Sequence, residues 1–357
     1  MTPRPVTRPV DLEAIRDRID AVLTEFLESK AGEAAGRRLP AEVTEVLRDF
    51  LLRGGKRLRP LLCALGWQAA GGHGTPAPVV RVAASLEMFH AFCLIHDDVM
   101  DRSTTRRGGP TVQCSLTIRH DGHPAAAHLG TSAAILVGDL ALVWSDELLH
   151  SAGLTRTQLS TVRPLIYAMR TEVMYGQYLD LLSTGHLVDQ TDTAFEAIRY
   201  KTAKYTCERP LHIGASLAGA PLALLDVLTA YSLPLGEAFQ LRDDLLGVFG
   251  DPQTTGKPAL DDLREGKRTV LTALAFQRSA PAQRDLLRAL IGRPGLNESH
   301  AERIRTVLET TGARNAVEDM IRARREQALN ALDRASLPGP TTDALRHIAH
   351  TATTRAA

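Results

Sequence analysis

Apolar residues in this chain recur at helical spacing, and no alternating strand run bounded by turn residues stands out. The spacing predicts helices over 11–30, 41–52, 56–71, 77–103, 123–150, 157–184, 190–217, 221–248, 259–278, 297–311, 313–335 and 340–355. Breaks fall at Gly71-Gly72-His73-Gly74, at Gly108-Gly109-Pro110 and from Gly250 to Pro258. Ser299 with Glu302 reads as a capping box, and Gly312 as the stop of that helix. Residues 1–10, rich in Pro and Arg, read as a disordered tail. No linker divides the remainder, so 11–357 is expected to be a single all-α domain, a bundle of about a dozen helices around a central cavity.

Two places break the apolar helical pattern with acid. They are His96-Asp97-Asp98-Val99-Met100-Asp101 and Arg242-Asp243-Asp244-Leu245-Leu246, each near the C-terminal end of a long predicted helix. Carboxylates one turn apart repel by a few tenths of a kcal/mol when exposed and by more when desolvated. Placing them twice in apolar surroundings implies a positive charge to hold. Mg²⁺ suits them, since it takes one or two carboxylates and completes its octahedron with waters and substrate phosphates. Asp97 and Asp101 share a helix face at i and i+4, whereas the matching position after Asp243 is Gly247.

Basic residues sit where anions bind. Two glycines precede Lys56, Arg57 and Arg59 at a predicted helix start, an arrangement suited to a diphosphate. Arg106-Arg107 follows the first acidic cluster, Lys257 and Lys267 follow the second, and Lys201 lies on a third helix. These charges are local, because 42 basic residues against 41 acidic leave a formal charge of only +1 and no field to attract nucleic acid. Cys63, Cys93, Cys114 and Cys207 lack paired spacing and read as reduced thiols, consistent with a cytoplasmic location. The most apolar stretch, 129–144, reads as too short to cross a bilayer, so no stable membrane insertion is expected.

With these residues in place, the chain resembles the trans-isoprenyl diphosphate synthases of the polyprenyl synthetase family. The matching segments are GGKRLRP (54–60), HAFCLIHDDVMDRSTTRRGGPTV (90–112), GQYLDL (176–181), YKTAKYT (200–206) and FQLRDDLLGVFGDPQTTGKPALDDLREGKRT (239–269). The resemblance implies a Mg²⁺-dependent head-to-tail condensation of isopentenyl diphosphate with dimethylallyl, geranyl or farnesyl diphosphate, using about three ions per site and usually a homodimer. It implies that Asp97, Asp101 and Asp243 hold the metals, with Asp98 and Asp244 in support. Arg106, Lys201 and Lys257 would hold the allylic diphosphate. Lys56, Arg59, His90 and Arg107 would hold isopentenyl diphosphate. Thr202 and Gln240 would line the space around the allylic cation, and Lys267 would complete the basic rim when the 250–258 loop closes.

Product length falls to the residues below the first acidic cluster. Phe92 lies about 7.5 Å and Phe89 about 12 Å along the helix from Asp97, close enough to form a floor. Cys93 stands four residues before Asp97, so only the fifth position is aromatic, and the motif carries no insertion. That pattern is similar to archaeal-type geranylgeranyl diphosphate synthases and favours a C20 product, with C15 as the alternative. Two positions depart from the family pattern: Gly247 where a third Asp is usual, and Leu260 where a Gly is usual. A terpene cyclase would share the first acidic motif but not Lys56, Arg59 and His90, and an aromatic content of 4% is low for a cyclising pocket. A non-catalytic subunit would have lost an Asp pair, and both pairs are intact.

Overall fold

The computed structural model describes residues 9–183, 191–250, 260–293 and 295–354. Its helices are α1 (Leu12–Gly36), α2 (Glu42–Leu52), α3 (Leu58–Ala69), α4 (Ala77–Met100), α5 (Val112–Arg119), α6 (Ala126–His150), α7 (Arg156–Ser183), α8 (Thr191–Ala197), α9 (Arg209–Leu217) and α10 (Leu222–Phe249). After them come α11 (Asp261–Glu265), α12 (Val270–Arg278), α13 (Pro281–Leu290), α14 (Glu298–Thr310), α15 (Ala313–Asp333) and α16 (Gly339–Thr353). The fold is all-α. α4 is apolar around most of its circumference and occupies the centre, against α1, α3 and α6. α10 packs mainly on α15 and on the segment Ile198–Glu208.

That segment is a π-helix, continuous with α8 before it and α9 after it. The expected single helix over 190–217 is therefore one rod with a widened middle. Pro210, in the first turn of α9, has no N–H to donate to the preceding turn, which marks where the wide ladder gives way to α-helix. Gly176 lets α7 close onto this rod, since a Cβ there would lie 2.4 Å from the Lys201 nitrogen.

Several local expectations need correction. A two-residue ladder, β1 (Thr105–Arg106) with β2 (Gly109–Pro110), is too short to register as alternation. α5 and α13 fall outside the helices that the spacing predicts, and the helix expected over 259–278 is divided by Gly266 at φ +69°. The cap of α14 is Asn297, whose side chain accepts from His300 N at 3.0 Å, so Ser299 with Glu302 is not the capping box. Val10 packs against the core and so does not belong to a disordered tail over 1–10; residues 1–8 lie outside the described residues. The apolar 129–144 run belongs to a helix of 25 residues, and α4, α6 and α10 are each long and apolar enough to cross a membrane. All four cysteines are unpaired, as expected.

Candidate active site

A cavity of about 1040 Å³ opens between α4, α7, the π segment and α10. Every side chain expected at the site lines it except Asp98, Asp101, Phe89 and Lys257, the last of which lies outside the described residues.

One end is basic, and strained backbone builds it. Arg57, the residue before α3, has φ +50°, and Arg107 has φ +51° in the two-residue turn between β1 and β2. Positive φ is costly for any residue with a Cβ and persists only where the surroundings hold it. Here Glu87, buried on α4, does so. It accepts from Arg57 Nη1 at 2.9 Å and lies 3.8 Å from Arg107 Nη2, while Arg107 Nη1 donates to Gly54 O at 2.6 Å. Arg57 also donates to Asp20 and Leu51 O, and it lines the cavity together with Lys56 and Arg59. Arg59 donates through Nη2 to Thr206 Oγ1 at 2.6 Å and stacks 4.2 Å from the Tyr205 ring, whereas its buried Nε has no partner among the described residues. His90 meets the Tyr205 hydroxyl at 3.2 Å, and burial together with Arg59 and Arg107 holds its pKa well below the usual range, keeping it neutral. Crowded guanidiniums beside a neutral imidazole make a receptor for an anion.

The other end gathers carboxylates and cations. Lys201 Nζ donates to Asp97 Oδ1 at 3.1 Å and to Asp180 Oδ2 at 2.7 Å. Arg106 Nη2 donates to Asp97 Oδ2 at 3.2 Å, and Lys267 lies 3.1 Å from Asp101. Burial works against ionisation of Asp97, but Lys201, Arg106 and Lys267 outweigh it and hold the carboxyl well below the usual range. Burial keeps Asp101 above its usual value despite Lys267. Asp98 has a place different from the expected metal role: it is wholly buried, turned from the cavity, and accepts Arg106 Nε at 2.8 and 2.9 Å.

On α10, Asp244 is buried and accepts from Gln240 Nε2 at 2.8 Å, while Gln240 Oε1 accepts from Thr202 Oγ1 at 2.6 Å. Burial, with Asp262 and Asp243 nearby, pushes the Asp244 pKa up to about 7. Asp262 occupies the space that Gly247 leaves open, since a Cβ at 247 would lie 1.9 Å from Asp262 Oδ2. Among the described residues no three metal-ligand side chains form a ready-made cage. The donor set nevertheless fits a hard divalent ion, which needs one or two carboxylate oxygens and keeps its waters.

Phe92 and Cys93 line the apolar end; Phe89 lies behind them, wholly buried, its ring 5.3 Å from that of Phe92. Burial pushes the Cys93 thiol up to about 11, so it acts as a small apolar wall residue. Sequence reasoning gave no role to Glu87, Asp180, Tyr205 or Asp262. Asp180, Tyr205 and Asp262 lie inside segments that resemble the family, and that is the signal the sequence carries for them. Glu87 looks like one charge on an apolar helix.

Known proteins agree with this architecture. The polyprenyl synthetase family profile matches residues 40–310. The chain is 33% identical to the geranylfarnesyl diphosphate synthase of Aeropyrum pernix, over 88% of this chain and 92% of that one. It is 31% identical to the (2E,6E)-farnesyl diphosphate synthase of Mycobacterium bovis, over 83% of this chain and 78% of that one. Among solved structures, the geranylgeranyl pyrophosphate synthase of Corynebacterium glutamicum, complexed with isoprenyl diphosphate and magnesium, superposes with a TM-score of 0.94. It shares 42% identity over 97% of this chain and 100% of that one. A helical cavity with one cationic and one carboxylate-rich end, in a chain with these relatives, identifies a prenyltransferase: the chain belongs to the polyprenyl synthetase family, as a trans-prenyl diphosphate synthase.

Proposed function

We propose that this chain, as a single domain over 11–357, adds isopentenyl diphosphate head to tail to dimethylallyl, geranyl and farnesyl diphosphates and stops at geranylgeranyl diphosphate. The observation that carries the reading is the single cavity with a diphosphate receptor at each end and an apolar pocket reaching Phe92. Lys56, Arg59, Arg107 and neutral His90 hold isopentenyl diphosphate. Arg106 and Lys201 hold the allylic diphosphate, and Asp98 acts through Arg106 by fixing its guanidinium. Lys257 is assigned the same task, and Lys267 the basic rim, on the family pattern alone. Mg²⁺, held by Asp97, Asp101 and Asp243 with Asp244 behind, supplies neutralising charge for the departing diphosphate when bound.

The allylic C–O bond breaks, leaving its electron pair on the diphosphate, and Lys201 and Arg106 stabilise that charge as it develops. The Gln240 carbonyl and the Thr202 hydroxyl, aligned by their hydrogen bond, line the space where the cation forms. The isopentenyl double bond attacks it, and the departed diphosphate takes the proton released. Excluding water protects the cation, and the 250–258 loop, of which 251–258 lie outside the described residues, is assigned that task on the family pattern alone.

A homodimer is part of the reading. α6 and α7 carry exposed apolar residues, Leu136 at 64% and Tyr175 at 67% among them, on faces that a second copy would cover. The protein is proposed to work in the cytoplasm. The test is incubation with Mg²⁺, isopentenyl diphosphate and each of the three primers, with product masses read. C20 from all primers is expected. C15 as the end product would shift the assignment to a farnesyl diphosphate synthase, and no condensation with any primer would refute it.

A further inference from the structure

Beneath the Phe92 floor lies a cation. Phe89, one turn deeper on α4, packs 5.3 Å from the Phe92 ring and 6.0 Å from that of Tyr205. On its far side, Cζ of Arg170 from α7 sits 5.1 Å from the Phe89 centroid. The guanidinium is anchored across to α6: Nη1 donates to Asp146 Oδ1 at 2.6 Å and Nη2 to Ser145 Oγ at 3.0 Å. Its Nε is buried with no partner among the described residues.

Two helical rulers agree on its depth. Phe89 lies eight residues before Asp97 on α4, about 12 Å from it. Asp180, joined to Asp97 through Lys201, lies ten residues after Arg170 on α7, about 15 Å from it. Val173, between them on α7, lines the cavity, whereas Arg170 and Phe89 do not. Arg170 therefore sits just below the second aromatic ring.

We propose that Arg170 is the final stop on product length, a charged floor behind Phe89; this rests on the chain-elongation reading above. Phe92 stops the tail by size, and Arg170 stops it by charge. A hydrocarbon tail that displaced the Phe89 ring would lie against a half-buried guanidinium, remove its aromatic partner and offer Nε no acceptor. An apolar side chain of similar length would instead extend the tunnel. In the single chain the Asp146 side chain left behind is 45% exposed.

The experiment compares Phe92→Ala/Phe89→Ala with the same variant carrying Arg170→Met or Arg170→Lys, under excess isopentenyl diphosphate. The longest product is read by mass. Arg170→Met is expected to lengthen it by at least one five-carbon unit, and Arg170→Lys, which keeps the cation, to leave it unchanged. Identical distributions with Arg and Met, or equal lengthening by Lys and Met, would overturn the proposal. Should the triple variants not fold, Phe92→Ala/Phe89→Val with and without Arg170→Met reads the same effect with a smaller cavity beneath the floor. An inactive wild-type protein would overturn the elongation reading together with this one; an active protein indifferent to Arg170 would overturn this one alone.

Discussion

The two acidic motifs read alike along the chain and differ in the cavity. Asp97 and Asp101, at the end of α4, each face a cation: Lys201 and Arg106 for the first, Lys267 for the second. Asp243 and Asp244, near the end of α10, sit in a carboxylate-rich region where Asp244 is pushed up to about 7 by burial, Asp262 and Asp243. Cations of the protein neutralise the first motif, whereas burial among carboxylates raises Asp244 in the second. Its missing third carboxylate is also partly restored, because Asp262 leans into the space above Gly247. A motif can lose a residue and keep its charge when a neighbouring element fills the gap.

Substitutions test this contrast. Asp97→Ala removes the carboxylate that joins Lys201 to Arg106, and kcat is expected to fall about a thousandfold. Asp243→Ala should cost about a hundredfold, since its neighbours retain negative charge; an equal loss at both positions would erase the proposed inequality. Gly247→Asp, which restores the usual family residue, must displace Asp262 and should lower kcat about tenfold. Adding Asp262→Ala to it should recover most of that loss. Recovery would show that one carboxylate is needed in that space, and further loss would show that Asp262 acts independently.

At the basic end, Glu87→Gln releases the clasp on Arg57 and Arg107. It should raise KM for isopentenyl diphosphate about tenfold while kcat and the primer KM change little. A fall in kcat alone would place Glu87 outside substrate positioning. Phe92→Ala should change the rate least of all, leaving turnover within about twofold and lengthening the product, because it touches neither diphosphate receptor.

What the sequence made legible follows from contrast along the chain. Asp97 and Asp243 stood out because they interrupt apolar helices, and Lys56, Arg59 and Arg107 because glycines flank them. Glu87 did not, since its meaning lies in Arg57, 30 positions away. Asp180 acquires a role only when Lys201 bridges it to Asp97, 104 positions from that lysine. The π segment was hidden because it runs directly from α8 into α9 with no breaking residue at its start, so the stretch reads as one helix. Asp98 and Asp97 are adjacent in sequence and share Arg106, yet only Asp97 lines the cavity; the roughly 100° step between neighbours separates them, and the sequence does not say which of the two faces in.

The central claim is that the two ends of the cavity hold two diphosphates for one condensation. Farnesyl and isopentenyl diphosphates supplied with Mg²⁺, and again with a chelator, test it most directly by the mass of the product. The account predicts geranylgeranyl diphosphate with the metal and none without it. Unreacted substrates in both, or equal product in both, would contradict it.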